Sequence, residues 1–462
     1  MKTNFESYQS PFSWRYGSSE MRQLFSEINR RRIWRNVWVA LAKSQNKHGL
    51  ISKKELDDIV KHKNEIDIKK AHEIENEIKH DLMAEVKTYA MQAKIGGGKI
   101  HFGATSQDIE DNADAIIFNG AIKIVEKKLK MLLSSWIKKI EDNKNLVCMA
   151  YTHLQPAEPT TLGHRFSIYA QDLLIDLEFL NYIKGQIKGK GVKGAVGNYA
   201  SYVALLGKKA IDQEKDVLEY LKIDAFSVTG QVYPRKLDFL IFSLLATIAQ
   251  SLHKFAFDLR ILQSAPFGEL MEPFAQKQVG SSAMPFKRNP QNSEKICSLS
   301  RYIASLSRVT WDNAANSLLE RTLDDSASRR ISIPDIFLAT DEILSVANEI
   351  IQGMVINEKN IEKNLSLYGP FSALESILLK STKNGASRQE MHELLREHSM
   401  TVYKQMTISG KNTLFENLKK DKKLLKYLTK TQIEDLSDYK NYIGHAAQIA
   451  AETAQKIRAT VS

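Results

Sequence analysis

A chain of 462 residues with 43% hydrophobic residues, 10 prolines and 22 glycines has enough apolar material for a large core, and its scarcity of turn residues argues against many short strands. The formal net charge of +11 suits nucleic acid, anionic lipid or a small polyanionic substrate and does not choose among them. The two cysteines, Cys148 and Cys297, fit no metal-ligand spacing and predict a reducing, cytoplasmic setting.

The first 107 residues predict a helical N-terminal domain. Apolar residues recur at helical spacing from 20 to 49, and the helical pattern resumes at 52 to 62 and at 68 to 92. The opening residues show no charged head followed by an apolar stretch, so no secretory signal is expected. The segment IGGGKIHFGATS ends this block because its glycines interrupt the helical pattern.

Residues 108 to 356 predict a central bundle of long helices. The apolar face is clearest from 236 to 265, where large apolar residues recur at steps of three and four for about six turns. The most apolar stretch, 239 to 249, is shorter than the roughly 20 residues of a membrane span, so no membrane contact is expected. Several helices are apolar on more than one face, which predicts association between copies. The predicted helices are 108–141, 158–187, 236–265, 293–316 and 334–355.

Shorter helical patterns from 357 to 462 predict a third, small helical domain, with the clearest helix at 387 to 406. The prediction is therefore an all-α protein of three helical domains. The most basic stretch, 417 to 430, has the pattern of the solvated face of an amphipathic helix. No DNA-binding or RNA-binding module signature occurs in the sequence, so no nucleic acid partner is expected.

Unusual residues concentrate at the joints between predicted helices. Taken singly, each has a structural explanation: a backbone carbonyl can satisfy His153, and Thr105 with Ser106 can cap the next helix. They gain weight together because helix N-termini and free backbone N–H groups favour an anion. The four segments are KHD at 79–81, HFGATSQDIEDN at 101–112, YTHLQPAEPTT at 151–161 and the segment 272–295, and all but the first lie at predicted helix ends.

GSSAMPFKRNP at 280–290 has the composition of a mobile, electropositive loop. Ser281 and Ser282 supply hydroxyls, and Lys287 and Arg288 supply positive charge ahead of the next helix. A serine hydroxyl is a useful base only when donors and cations stabilise its alkoxide. A loop that closes over a substrate carboxylate meets that need, and the alternative is a plain surface linker with a helix cap.

No metal or redox cofactor is expected. GKGVKG at 189–194 matches the dinucleotide pattern G-x-G-x-x-G letter by letter, but it follows a helical pattern rather than a strand. The sequence contains no H-E-x-x-H motif, no Walker motif and no cluster of cysteines.

GSSAMPFKRNP resembles the signature of the fumarase/aspartase superfamily, and its Ala-Met-Pro-aromatic-Lys-Arg-Asn-Pro form is similar to that of adenylosuccinate lyases, most of all the animal-type branch. Further ordered matches run along nearly the whole chain: SPFSWRYGS, KHD, HFGATS, THLQPA, GVKGAVG, TGQVYPRKLD and ERTLDDSASRR. The resemblance implies an L-aspartase/fumarase-like fold and a cytoplasmic homotetramer with active sites shared between subunits. It implies a carbon–nitrogen lyase that eliminates fumarate from adenylosuccinate to give AMP, and from succinylaminoimidazole carboxamide ribotide (SAICAR) to give the carboxamide ribotide AICAR.

The resemblance also implies catalytic roles. Ser281 is the implied base, His153 the implied acid, Glu294 the carboxylate that pairs with and orients His153, and His80 a further catalytic residue that contacts the substrate. The implied substrate-binding residues are Arg15, Tyr16, Lys79, Asp81, Thr105, Ser106, Thr152, Gln231, Lys287, Asn289, Lys295, Arg321, Leu323, Ser326 and Arg330.

Some of the implied substrate-binding residues match groups at the succinyl end of the substrate, and others match groups at its phosphate end. Lys287 and Asn289 match groups that hold the succinyl carboxylates. The nucleotide and phosphate end, where a guanidinium fork suits phosphate geometry, is matched by Arg15, Tyr16, Ser326 and Arg330.

Three positions depart from the family pattern and bear on affinity rather than on reaction class. Lys79 stands where arginine is usual, which keeps the charge and loses the bidentate fork. Phe286 replaces the usual tyrosine or histidine, and Lys295 replaces an arginine of the animal enzymes.

Two alternatives remain at this point. Another lyase of the superfamily, such as an argininosuccinate lyase, is the nearest enzymatic one. A non-catalytic basic helical scaffold or nucleic-acid binder is the alternative from another class, against which the intact set of Ser281, His153 and Glu294 argues.

Overall fold

The computed structural model describes residues 6–461, apart from the side chain of Thr407. Helices dominate, as expected for the all-α class. The first helices are α1 (Ser19–Leu24), α2 (Glu27–Lys47), α3 (Lys53–His62), α4 (Ile68–Ile78) and α5 (Asp81–Gln92). The long helices that follow are α6 (Ser106–Asn143), α7 (Leu162–Gln186), α10 (Lys236–Gln263), α11 (Gln291–Ala315) and α12 (Asp324–Gly353), with α8 (Ala200–Leu206) and α9 (Ala210–Leu221) between them. The last are α13 (Glu358–Lys383), α14 (Arg388–Ser409), α15 (Leu414–Leu418), α16 (Lys430–Leu436) and α17 (Ala446–Val461).

The strands within residues 6–461 form two small antiparallel sheets. In the first, β1 (Val147–Thr152) pairs with β2 (Gln155–Thr161). In the second, β3 (Leu270–Met271) pairs with β4 (Val355–Ile356).

Contacts within the chain define two compact units. Unit 1 runs up to Leu129 and adds Asp176–Gln250 and Ser298–Ser345, whereas unit 2 comprises Lys130–Ile175, Ser251–Cys297 and the chain from Val346 onwards. Helices α6, α7, α10, α11 and α12 each contribute residues to both units. The division into three domains at 107/108 and 356/357 stays a prediction.

Unit 1 has a core of aromatic and aliphatic residues from α2, α3, α5 and the start of α6, including buried Trp38 and Tyr89. A buried carboxylate, Glu85, lies beside this core and accepts from Arg35 Nε at 2.6 Å and Arg31 Nη1 at 2.9 Å. A buried charge is tolerated only when it is paired and hydrogen-bonded, and these two arginines meet that condition.

Unit 2 contains a separate core made by α13, α14, α15 and α16, with Leu395, Val402, Leu414 and Ile433 buried at its centre. Helix α13 is 26 residues long even though it contains Pro370. The prediction that helices after residue 357 are shorter than those of the bundle is therefore wrong at α13, since packing of its apolar face overrides the local cost of a proline.

Three other boundaries differ from the sequence-based ones. The predicted helix over 158–187 begins only at Leu162, because residues 155–161 pair with β1. Proline and β-branched threonine disfavour helix in QPAEPTT. The pattern over 20–49 is broken before Ser26, which caps α2 by accepting from Asn29 N at 3.3 Å. Helix α12 begins at Asp324 and carries Pro334 inside it, whereas the sequence predicted its start at that proline.

Helix α10 is more apolar than the short stretch 239–249 suggested. Among the described residues it is the one helix long and apolar enough, by length and composition, to cross a membrane. Ile241, Leu245, Leu252 and Leu259 of this helix are buried in the protein core. A helix in the core of a large soluble protein has the same composition.

Candidate active site

The KHD segment forms the joint between α4 and α5 in unit 1. Lys79 ends α4 in the left-handed conformation, with φ of 58°, and His80 caps α5 by accepting from Met83 N at 3.4 Å. The prediction that this segment lies away from helix ends is therefore wrong. His80 sits at a helix N-terminus, the position at which a helix favours an anion.

Asp81 connects this joint to α12. Its Oδ2 atom lies 2.6 Å from Arg330 Nη2, and its Oδ1 atom accepts from Leu82 N at 2.8 Å. Burial alone disfavours the charged carboxylate, but the Arg330 guanidinium and the Leu82 N–H hold the pKa of Asp81 below its usual range. Arg330 also reaches Ser326, with Nε to Oγ at 3.4 Å. Three predicted substrate-binding residues, Asp81, Ser326 and Arg330, therefore form one cluster.

A small cavity of about 70 Å³ opens beside this cluster in unit 1. It is lined by charged and polar side chains and by an apolar wall of phenylalanine, tryptophan and isoleucine. The polar lining residues are Arg30, Gln107, Glu110, Asp114, Arg321, Ser326, Arg329 and Arg330. One water needs roughly 10–15 Å³ of such a volume, so a small polar group fits the cavity.

Thr105 and Ser106 lie at the start of α6, where Asp108 fixes them. Asp108 is fully buried and accepts from Thr105 N at 3.1 Å and from Tyr202 Oη at 3.1 Å. It also accepts from the backbone N–H of Gly194 at 3.2 Å and from the ammonium group of Lys190. The Asp108 carboxylate thus connects Thr105, just before α6, to Lys190 and Gly194 of the segment 189–194.

GKGVKG at 189–194 is therefore structural in this chain. It follows helix α7, as expected, and both of its lysines are buried. Lys193 Nζ binds Glu214 at 2.5 Å, and Gly191 has a positive φ of 82° with no room for a Cβ beside Glu214. The glycines permit the turn, and the lysines neutralise Asp108 and Glu214.

We expect Asp108→Asn to lower the free energy of unfolding by about 3 kcal/mol, because a buried lysine then loses its counter-charge. Denaturant unfolding followed by circular dichroism measures the change. Asp212→Asn is the matched control, since Asp212 is exposed and lies 3.7 Å from exposed Lys215; its effect should stay below about 1 kcal/mol. Equal unfolding midpoints for Asp108→Asn and the native chain contradict the role of Asp108 as the stabilising counter-charge of buried Lys190.

The other predicted residues of unit 1 are near-surface groups. Arg15 lies over the rings of Trp14 and Tyr16, and no ion pair or hydrogen bond among residues 6–461 joins Arg15 or Tyr16 to Arg330. Gln231 binds Glu320 through its backbone, N to O at 3.0 Å.

Two further implied substrate-binding residues, Arg321 and Leu323, lie just before α12. Arg321 Nη1 donates to Asp325 Oδ1 at 3.1 Å. Leu323 is 71% exposed, so it is available to a ligand or to another chain.

In unit 2, His153 occupies the tip of the β1–β2 hairpin. His153 and Leu154 form the two-residue turn, and both have positive φ, 53° and 59°. Turns of this kind suit the twist of a hairpin but normally select glycine or asparagine, so placing histidine there stores strain of the kind found at functional sites. Thr152 and His153 are exposed.

The base of this hairpin is held by a buried carboxylate. Glu269 accepts from Tyr151 Oη at 3.2 Å, from Arg165 Nη1 at 3.2 Å and from Asn364 Nδ2 at 2.9 Å. These bonds fix the orientation of the hairpin and hence the position of the His153 backbone.

Residues 280–290 of unit 2, which contain Ser281 and Ser282, form the serine loop. Amide side chains join the two ends of this loop. Asn289 Nδ2 and Gln291 Nε2 both donate to Gly280 O, at 3.0 and 3.1 Å. A Cβ at Gly280 would lie 2.1 Å from Lys287 O, so only glycine fits there. Ser281 Oγ accepts from Met284 N at 3.1 Å. Hydrogen bonds within the turn and at the ends of the loop therefore hold the Ser281 hydroxyl in place.

The loop leads directly into α11. Glu272 caps this helix by accepting from Ser293 N at 2.5 Å and Asn292 N at 3.2 Å. Glu294 lies in the first turn and is exposed, as is Lys287 in the loop, whereas Lys295 is partly buried.

The three implied catalytic residues of unit 2 are Ser281, His153 and Glu294. Among the described residues, no hydrogen bond or ion pair joins His153, Ser281 and Glu294. The pairing of Glu294 with His153 stays a prediction.

Comparison with known proteins identifies the class to which this fold and this set of residues belong. The model of a family described as Lyase matches residues 15–304, more than half of the chain. The solved structures of a fumarate lyase from Mesorhizobium and of a 3-carboxy-cis,cis-muconate lactonizing enzyme from Pseudomonas putida have the same fold. Their TM-scores are 0.85 and 0.86 at 20% and 22% identity, over 97% and 98% of this chain and 99% and 100% of theirs. The fold is that of the fumarase/aspartase superfamily, and the chain is a lyase.

The particular family follows from closer relatives. A second family model, described as Adenylosuccinate lyase C-terminus, matches residues 370–453. Proteins named adenylosuccinate lyase from Schistosoma mansoni and Saccharomyces cerevisiae are 39% and 37% identical, over 90% and 98% of this chain and 88% and 95% of their own length. One from Methanocaldococcus jannaschii is 36% identical over 97% of this chain and 96% of its own. The chain belongs to the adenylosuccinate lyase family.

Sequence reasoning did not single out three carboxyl and basic groups of the site. Asp108 and Glu110 lie in HFGATSQDIEDN and Arg329 lies in ERTLDDSASRR, but their contacts are with residues distant in sequence or with side chains that only the fold places beside them. A weak signal existed in HFGATSQDIEDN, where five acidic or amide side chains lie in the first turns of a helix. Because buried carboxylates must be paired, several of them at the start of a buried helix predict basic partners from other parts of the chain.

Proposed function

We propose that this chain eliminates fumarate from adenylosuccinate to give AMP, and from SAICAR to give AICAR. The observation that carries the proposal is the family membership over most of the chain, together with the intact serine loop. No step of the chemistry requires a metal or an organic cofactor, because proton transfer and charge stabilisation by side chains suffice.

The reaction is a β-elimination. Ser281, as its alkoxide, removes a proton from the carbon next to a carboxylate, and the electrons of that C–H bond pass into the adjacent carboxylate. The resulting doubly charged intermediate is held by Lys287 and by the amide of Asn289. The electrons then return to form the C=C bond of fumarate as the C–N bond breaks, and His153 protonates the departing nitrogen.

Glu294 acts on His153 rather than on the substrate. A carboxylate beside an imidazole stabilises its protonated form and fixes its orientation. The exposed side chains of Glu294 and His153 are available for this pairing when chains assemble.

The phosphate end of the substrate is assigned to Arg330 and Ser326. A guanidinium and a hydroxyl that already meet at 3.4 Å form a preorganised pair of donors for phosphate oxygens. His80, which caps α5 beside Asp81, lies in the same unit.

One assay tests the reaction. Adenylosuccinate, SAICAR and argininosuccinate are supplied in turn, and fumarate release is followed by absorbance. Turnover of the first two and not of argininosuccinate is expected. Turnover of argininosuccinate alone favours the other lyase of the superfamily, and no turnover together with salt-dependent binding of DNA or RNA favours the basic scaffold.

Arg330→Met is expected to weaken binding of AMP by about 1.5–3 kcal/mol, the value of a hydrogen bond to a charged group. Adenosine, which lacks the phosphate, should bind the variant and the native chain equally. Isothermal titration calorimetry measures both. Equal loss for AMP and adenosine places Arg330 away from the phosphate.

The proposed assembly is a cytoplasmic homotetramer with shared sites. Helix α7 supports the association, because Ile168, Ile175 and Tyr182 recur at steps of seven and are 47%, 56% and 57% exposed. Apolar residues at that spacing form one stripe along a helix, which packs against a partner helix in multi-helix assemblies.

A further inference from the structure

We propose that Glu110 is part of the phosphate site and donates a hydrogen bond to the phosphate in its protonated form, so that binding of the phosphate end weakens at alkaline pH. This inference rests on the proposed function, which assigns Arg330 and Ser326 to the phosphate.

The position of Glu110 is the first observation. Glu110 lines the cavity of about 70 Å³ that Ser326 and Arg330 also line. Its side chain is neither fully buried nor exposed. A group that enters this cavity to meet Arg330 therefore also meets the Glu110 carboxyl.

The partners of the neighbouring carboxylates are the second observation. Asp81 lies 2.6 Å from Arg330, Asp111 lies 3.0 Å from Arg235, and Asp114 lies 2.9 Å from Arg329, each measured from carboxylate oxygen to guanidinium nitrogen. Glu110 differs, because among the described residues its hydrogen bond comes from an amide, Gln107 Nε2, at 2.5 Å. Arg235, Arg329 and Arg330 thus each pair with one of the other three carboxylates.

The charges facing Glu110 come from every element around the cavity. Asp114 of α6 and Arg329 and Arg330 of α12 line the cavity. Asp81 of α5 and Asp111 of α6 lie outside the lining and act on Glu110 through their charges. Arg30 of α2 and Arg321, ahead of α12, complete the lining. Burial, followed by the charges of Asp81 and Asp114, raises the pKa of Glu110 to about 8, and Arg330 opposes this only in part.

A neutral carboxyl suits a phosphate and an ionised one does not. A protonated carboxylic acid in a buried site donates a hydrogen bond, whereas a carboxylate at the same place repels a phosphate that carries nearly two negative charges above pH 7. Since binding requires the proton, affinity should be constant below the pKa of Glu110 and should fall by about tenfold per pH unit above it.

Calorimetric titration of the full chain with AMP at pH 7.0, 8.0, 9.0 and 9.5 tests this inference. The native chain should lose about fivefold in affinity for AMP between pH 8.0 and 9.0 and about threefold more by pH 9.5. It should also take up protons on binding at pH 8.0 and above, measured in buffers of different ionisation enthalpy. Glu110→Gln keeps a donor and has no titration, so its affinity should be unchanged across the range and should exceed the native affinity at pH 9.5.

Glu110→Gln and Arg330→Met distinguish a failure of this inference from a failure of the proposed phosphate site. Glu126→Gln is the matched control on the same helix, because Glu126 pairs with Lys184 at 2.6 Å, and it should keep the native pH profile. If Glu110→Gln also keeps the native slope, the inference is overturned. If Arg330→Met leaves AMP affinity unchanged at every pH, the assignment of the phosphate end fails instead. Proton uptake by the native chain tests the inference without any variant, and its absence at pH 8.0 to 9.0 overturns it.

Discussion

Ser281→Ala is expected to lower turnover by at least about 100-fold and to leave the fold and substrate binding largely intact. A positioned general base contributes about 10²–10⁴ to rate, and alanine removes it. The structural cost is small, because among the described residues Ser281 Oγ accepts one hydrogen bond, from Met284 N at 3.1 Å. The ends of the loop are held separately, by Asn289 and Gln291. Steady-state release of fumarate gives kcat and KM, and circular dichroism checks the fold.

Ser282→Ala is the matched control for this prediction. Ser282 carries the same hydroxyl one residue further along and is exposed. Its replacement should change kcat by less than about tenfold, since no proton transfer depends on it. Near-normal turnover in Ser281→Ala, combined with a large loss in Ser282→Ala, assigns the base to the neighbouring hydroxyl.

Mixing two inactive variants is expected to restore about a quarter of the native activity. His153→Ala and Ser281→Ala each lack one of the two proton-transfer groups. If His153 and Ser281 of one site come from different chains, random assortment of equal amounts leaves about one site in four with both native residues. Among the described residues of one chain, no hydrogen bond joins His153 and Ser281, as expected for such a site.

The mixing experiment needs proof of subunit exchange. The two variants are tagged differently, incubated under conditions that permit exchange, and mixed oligomers are isolated through both tags before assay. Light scattering reports the oligomeric state. A monomer, or isolated mixed oligomers without activity, contradicts the shared site.

The sequence alone determined the helical class and the bounds of several long helices. The patterns at 108–141, 236–265 and 293–316 lie within two residues of the observed α6, α10 and α11, because a period of 3.6 is a local property of the chain. The family was equally readable, since GSSAMPFKRNP and the other motifs are contiguous. The hairpin at 147–161 was missed because two short strands stabilise each other through pairing, and the pattern of either strand alone is weak.

The tertiary structure alone decided which charged groups meet. The sequence placed Asp81 and Arg330 in separate motifs, and only the fold brings Arg330 Nη2 within 2.6 Å of Asp81. The same holds for Asp108, whose donors come from the residues before it and from the segment 190–202. It also holds for Glu110, whose hydrogen bond comes from Gln107, whereas its neighbours Asp111 and Asp114 pair with Arg235 and Arg329. Periodicity records which face of a helix is buried, whereas the protonation and the partners of a buried carboxyl depend on side chains that only folding places beside it.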